Sequence, residues 1–120
     1  DAVVFPGIVP SAAPWLARAD VVAVPSRFEQ LSLVVIEAMA LGRPVVASDV
    51  AGPRELLDDT GVLVPPGDAA ALRSAIDALL ADPVRAVALG GRAEARCREM
   101  WDLPRFRQRA TAIAERAVRR

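Results

Sequence analysis

Four short, mostly apolar runs separated by helix-like segments constrain the fold of this chain more than any other feature. The runs are Ala2–Phe5, Val21–Val24, Val45–Ser48 and Val62–Val64. They lack the apolar–polar alternation of a strand with one solvated face, so they suit parallel strands buried on both faces. Strands that alternate with helices predict βαβ units, an α/β fold and an open parallel sheet.

Boundary residues mark the helices between and after these runs. Ser32 and Gly42 bracket one helix, and Asp68 precedes an amphipathic helix over 69–81. Pro83 opens a helix that runs towards Met100 and that Gly90-Gly91 is expected to weaken. Other helices are predicted over Ser11–Arg18, over Pro53–Leu57 and from about Pro104 to Arg119. The second half is therefore expected to add helices to the sheet.

The absence of certain residue types excludes several chemistries. All 15 basic residues are arginine, and the chain has neither lysine nor histidine. A Ser-His-Asp triad, a histidine-ligated zinc site, a Schiff base and a Walker-type lysine are therefore excluded. Cys97 is the single cysteine, and the formal net charge is zero. We expect no metal site, no cofactor and no nucleic-acid partner.

Length and hydropathy predict one domain without a membrane span. The chain has 120 residues, and its apolar runs fall far short of the roughly 18 residues that a span needs. Because it opens on what reads as the middle of a strand, we expect a single partial domain over residues 1–120, from a longer protein. The alanine- and arginine-rich composition suggests a bacterial origin.

Glu37 is the anomalous residue of the helix that follows Ser32. Its neighbours from Leu33 to Leu41 are almost all apolar, so the helix is expected to be buried. A buried carboxylate is costly unless it is paired or hydrogen-bonded. A ligand at the helix N-terminus, such as the diol of a sugar, would satisfy it. An internal salt bridge with Arg43 or Arg54 is the alternative.

The loop before this helix carries a second carboxylate, Glu29. A loop glutamate is usually solvated, but here seven residues separate Glu29 from Glu37. The loop lies where a predicted strand ends and a helix begins, which is where open α/β sheets bind ligands. The free amides of the helix N-terminus suit a phosphate.

The run from Pro25 to Ser48 resembles the core signature of glycosyltransferase family 4, the glycosyl transferases group 1 of the GT-B fold. The shared positions are Pro25, Ser26, Glu29, Glu37, Gly42 and Pro44. Downstream blocks at 52–55, 61–68 and 80–83 follow in the family's order. The resemblance implies a partial Rossmann-like parallel sheet, from the C-terminal domain of a GT-B fold, followed by C-terminal helices.

The resemblance also implies roles for individual residues. Glu29 takes the catalytic position and contacts the donor sugar, while Glu37 binds the ribose hydroxyls of the nucleotide. Backbone amides of Leu31, Ser32 and Leu33 lie near the diphosphate and the sugar. Gly7 and Ile8 approach the base. Ser32 stands where the family often has glycine, so the closest backbone approach to the sugar differs here.

The implied activity is retaining transfer of a sugar from a nucleoside-diphosphate sugar to an acceptor hydroxyl. The acceptor (a glycan, a lipid or a small molecule) would be bound mainly by an N-terminal domain that this sequence does not include. Two upstream strands and the cationic residues that neutralise the diphosphate are also expected outside it. The expected location is cytoplasmic or peripheral at the inner face of the membrane.

Two other functions stay open at this point. A GT-B epimerase acting on a sugar nucleotide would need acid and base residues that this chain lacks. A non-catalytic α/β interaction module is the alternative from another class. Without the two upstream strands, Val21–Val24 must either pair with Ala2–Phe5 or remain an edge, and an apolar edge favours self-association.

Overall fold

The computed structural model of the chain describes residues 3–102 together with Pro104, Gln108 and Thr111. Its elements, in chain order, are α1 (Ala13–Arg18), β1 (Val22–Val24), α2 (Leu33–Ala40), β2 (Val45–Ser48), α3 (Ala51–Leu57), β3 (Val62–Val64), α4 (Ala69–Ala81) and α5 (Pro83–Met100). Helix α3 begins two residues earlier than predicted. Most of the helix predicted from Pro104 to Arg119 lies outside the described residues.

The three strands form one parallel sheet in the order β1-β2-β3. Val22 pairs with Val45, and Val46 pairs with Val62. The predicted α/β fold with a parallel sheet is confirmed, with β1 starting one residue later than expected. Because each parallel pair is joined through a helix, the sheet alternates with α2 and α3 along the chain.

The central strand β2 is buried along its whole length, which explains its continuous apolar sequence. Side chains of a strand point alternately to its two faces. Val45 and Ala47 pack on one face in a cluster with Met39 and Leu57. Val46 packs in a second cluster, which also contains Val64, Leu79, Ala86 and Leu89. Helices therefore cover the sheet on both faces.

Helix α5 is continuous from Pro83 to Met100, so Gly90 and Gly91 do not interrupt it. Gly90 lies against the backbone of Gly42, just after α2, where a side chain would have no room. The close packing of α5 against the end of α2 thus compensates for the low helix propensity of glycine. Within the described residues, no helix combines the length and the apolar character needed to cross a membrane.

The prediction of a strand at Ala2–Phe5 is wrong for residues 3–5, which are the part of it that the structure describes. Residues 3–5 belong to no strand, and their side chains are exposed. Ala2 lies outside the described residues. An apolar run becomes a strand only if another strand supplies hydrogen-bond partners. Within the described residues β1 is an edge strand that pairs with β2 alone. This is the second of the two predicted outcomes, in which Val21–Val24 remains an edge.

Candidate functional site

The loop over 25–32 joins the end of β1 to the start of α2 at the carboxyl end of the sheet. This is the edge at which open parallel sheets bind their ligands. The loop carries Glu29, Leu31 and Ser32, and Leu33 begins the helix. The structure therefore brings four of the predicted site residues together in one short segment.

Ser32 fixes the start of α2. Its side chain is fully buried, and its Oγ accepts a hydrogen bond of 3.3 Å from the Val35 amide. The predicted helix start is thus confirmed, with Ser32 as the N-cap. The amides of Leu33 and Val34 have no acceptor inside the helix, and both side chains are exposed. This helix end can therefore offer two amides to an anionic group outside it.

Glu29 lies in the same loop with one carboxylate oxygen out of contact with solvent. Its Oε2 is buried and has no hydrogen-bond partner among the described residues. A buried acceptor without a partner costs about 1–3 kcal/mol, and more when it is charged. Its backbone carbonyl, in contrast, accepts a hydrogen bond of 2.9 Å from the amide of Gly52 in α3. Glu29 is therefore not fully solvated, unlike most glutamates in loops.

Glu37 has the opposite environment from the one predicted. Helix α2 buries Val35, Ala38 and Met39 and turns Glu37 outwards, where its side chain is exposed. The physical reason is that a helix packs only one face on the sheet, however apolar its other face is. Glu37 lies one turn beyond Leu33, or about 6 Å along the axis, so it remains beside the free amides.

The alternative salt bridges for Glu37 do not form in the described residues. Arg54 bonds to Asp49, with 2.6 Å between Nε and Oδ1. This hydrogen bond and the charge of Asp49 raise the pKa of Arg54 above its ordinary value. Arg43 donates from Nη1 to the carbonyl of Ala19 at 3.4 Å. The Glu37 carboxylate is thus left without either predicted arginine.

The remaining predicted residues lie on exposed backbone. The Leu31 side chain is exposed beside the helix start. Gly7 has a positive φ of 70°, and a Cβ added there would meet nothing within 4 Å. The Ile8 side chain is entirely exposed. The structure therefore does not pack Gly7 and Ile8 against the loop.

A cavity of about 180 Å³ opens where all three strands end. Its lining includes Arg27, Ser48, Pro65 and Asp68. Asp68 caps α4 by accepting from the Ala71 amide at 2.9 Å, as predicted. Arg27 was not among the predicted site residues, and it lies in the loop two residues before Glu29. It brings a guanidinium group to the carboxyl end of the sheet.

The described residues contain no group of three or more histidine, cysteine, aspartate or glutamate side chains that could hold a metal ion. The groups that are present at this edge can recognise a ligand. Amides can bind an anion, and the Glu29 and Glu37 carboxylates can accept hydrogen bonds from hydroxyl groups.

Comparisons with known proteins identify relatives of this chain. The family described as "Glycosyl transferases group 1" matches residues 1–82. D-inositol 3-phosphate glycosyltransferase of Xylanimonas cellulosilytica is 48% identical over 93 residues, which are 75% of this chain and 22% of that protein. The chain thus spans less than a third of the length of the curated relatives that it matches.

Solved structures share the fold. Sucrose-phosphate synthase of Thermosynechococcus elongatus superposes with a TM-score of 0.81 and 38% identity, over 89% of this chain and 27% of that one. HepE of Anabaena in complex with UDP-glucose gives a TM-score of 0.79 and 28% identity, over 88% of this chain and 30% of that one. These neighbours are GT-B enzymes, so the predicted fold class is confirmed.

Proposed function

We propose that this chain, which belongs to the family of glycosyl transferases group 1, binds the donor substrate of a retaining glycosyltransferase. The donor substrate is a nucleoside-diphosphate sugar. In this proposal residues 1–120 are part of the donor-binding domain. The sugar moves to an acceptor hydroxyl and keeps its anomeric configuration. The acceptor is held mainly by another domain of the complete enzyme.

The observation that carries the proposal is the buried Oε2 of Glu29 without a hydrogen-bond partner. A carboxylate oxygen in this state is stabilised by any ligand that donates a hydrogen bond to it. The hydroxyl groups of a hexose are such donors, and a rotation of the Glu29 side chain towards the carboxyl end of the sheet would bring this oxygen within their reach. Two neighbouring structures are those of HepE with UDP and with UDP-glucose, which supports a nucleotide-sugar ligand here.

The N-terminus of α2 supplies the second part of the site. The amides of Leu33 and Val34, with the positive end of the helix dipole, stabilise the negative charge of the diphosphate. That charge grows on the leaving group as the glycosidic bond breaks, so preorganised amides favour the transition state over the ground state. Ser32 fixes their direction because it caps the same helix turn.

Glu37 completes the recognition of the nucleotide. Its exposed carboxylate, one turn along α2, accepts hydrogen bonds from the two ribose hydroxyls. Glu29 contacts the transferred sugar instead, because it lies in the loop before the helix. Two carboxylates would repel a diphosphate, so the complete enzyme must supply cationic groups beyond those described at this edge. We therefore expect the 120-residue chain alone to show no glycosyl transfer.

A titration of the complete enzyme with nucleoside diphosphates and with their hexose conjugates tests the proposal. We expect saturable binding of at least one conjugate, and transfer of its sugar with an unchanged anomeric centre, which NMR of the product reports. A product of inverted configuration would exclude the retaining mechanism. The absence of binding to every nucleotide sugar would exclude the function itself.

A further inference from the structure

We propose that Gly52 is a positioning residue. It holds the loop over 25–32, here called the Glu29 loop, in the geometry that the donor sugar requires. The inference rests on the proposed function, since it assumes that Glu29 meets the sugar. Gly52 belongs to α3, and in this proposal it makes no contact with the ligand. Gly52 acts through the backbone of the loop.

A hydrogen bond joins the two segments directly. The Gly52 amide donates to the backbone carbonyl of Glu29 at 2.9 Å. Gly52 lies in the first turn of α3, where an amide has no acceptor within its own helix. The loop therefore satisfies a helix amide, and the helix in return fixes the residue that carries the carboxylate.

The space around Gly52 excludes a side chain. A Cβ added there would lie 2.8 Å from the carbonyl carbon and oxygen of Gln30 and 3.0 Å from the carbonyl oxygen of Glu29. These are backbone atoms, so no side-chain rotation can relieve the overlap. The φ angle of Gly52 is not in the positive range, so its conformation alone would accept alanine. Glycine is required here for close approach.

The helix that carries Gly52 is itself firmly held. Its residues Pro53, Leu56 and Leu57 are buried. Arg96 of α5 donates to the carbonyls of Leu56 and Glu55 at 2.8 and 3.0 Å. The Glu29 loop, in contrast, has several exposed residues, including Phe28 and Gln30. A side chain at position 52 would therefore displace the loop rather than the helix.

Displacement of the loop should affect turnover and spare nucleotide binding. A catalytic group that is misplaced by about 1 Å can lower the rate about 100-fold. The contacts proposed for the nucleotide come from α2 and do not involve Gly52. We expect Gly52→Ala in the complete enzyme to lower kcat at least tenfold, while the Kd of the nucleoside diphosphate changes less than twofold.

Gly91→Ala is the matched control, because it is the same substitution at a position of α5 where an added Cβ meets nothing within 4 Å. This variant should keep the kcat of the wild type. In the Glu29→Ala background, Gly52→Ala should have no further effect on kcat, because both changes remove the same contact. Equal kcat for the Gly52→Ala and Gly91→Ala variants would overturn the positioning role. So would additive losses in the double variant.

Hydrogen exchange on the wild-type enzyme tests the same link without a variant that must fold. The hydrogen-exchange rate of the Gly52 amide should be lower in the complex with the nucleotide sugar than in the complex with the nucleoside diphosphate, because the sugar orders the Glu29 loop. Equal exchange in the two complexes would refute the positioning role while leaving donor binding intact. A wild-type enzyme that binds no nucleotide sugar would refute both the positioning role and the proposed function.

Discussion

Gly90 of α5 lies so close to the carbonyl oxygen of Gly42 that a Cβ at position 90 would overlap with it. The contact lets α5 approach the end of α2, and the next residue, Gly91, has open space instead. We expect Gly90→Ala to lower the free energy of unfolding by about 1–3 kcal/mol, as overpacked sites do. Gly91→Ala should raise it by up to about 1 kcal/mol, because alanine is the better helix former. Urea denaturation of both variants measures the difference, and similar values would contradict the close approach.

Glu37→Ala should weaken the binding of nucleoside diphosphate to the complete enzyme by about tenfold or more. A hydrogen bond to a charged group contributes about 1.5–3 kcal/mol. Because Glu37 is exposed, we expect the stability to change by less than about 0.5 kcal/mol. Glu29→Ala should lower kcat more than it weakens nucleotide binding. Calorimetry of both variants checks the division of roles, and an unchanged Kd in Glu37→Ala would exclude the ribose contact.

Ser32→Ala should remove the cap of α2 and lower the stability by about 1 kcal/mol. Asp82→Ala is a suitable comparison, since Asp82 caps α5 by accepting from the Arg85 amide at 3.0 Å, away from the Glu29 loop. Both variants should lose similar stability in thermal denaturation, but only Ser32→Ala should also weaken donor binding. Equal donor affinity in the two variants would show that the direction of the α2 amides is unimportant.

Within the described part of the chain β1 pairs with β2 alone, and its unpaired edge should make the isolated 120-residue chain self-associate. Val22 and Val24 are buried, whereas Ala23 is exposed. We expect Ala23→Lys to reduce the association, because a charge on an edge strand disfavours pairing with another edge. Sedimentation velocity at micromolar concentration measures it. Strong hydrogen-exchange protection of residues 3–5 in a monomer would show instead that this segment has found a partner strand.

Cys97 should react slowly with thiol reagents in the folded protein. Burial, followed by the charge of Glu94, raises its pKa above the ordinary value near 9. The reactive thiolate is therefore scarcer in the folded chain than in the unfolded one at any pH below the raised value. The contribution of the buried thiol to stability is complete below pH 9 and is lost as the pH rises through the folded pKa. Fast labelling at pH 8 without unfolding would contradict the burial.

The strands and helix starts were predictable because local chemistry determines them. Continuous apolar runs predicted β2 and β3, and the oxygen-bearing side chains of Ser32 and Asp68 predicted two helix starts. The run at 2–5 misled because composition shows only that a segment can form a strand. Whether another strand is available to pair with it depends on distant parts of the chain.

The environments of the two glutamates could not be predicted because tertiary packing determines them. An almost wholly apolar α2 does not reveal which face meets the sheet, so Leu33 and Glu37 were wrongly expected to be buried. The backbone of Glu29 is hydrogen-bonded to Gly52 of α3, more than 20 residues further along the chain. Their seven-residue spacing belongs to the family signature, and the site that it indicates at this loop and helix stays a prediction.

Helix α5 contributes Leu89 to the cluster on one face of the sheet and Ala93 to the cluster on the other. These residues are four positions apart, or about 6 Å along the helix. Loss of packing in the cluster on one face of the sheet would therefore disturb α5, which also packs in the cluster on the other face. The two layers should melt in a single cooperative transition, and accepted substitutions in one layer should be correlated with those in the other through this helix.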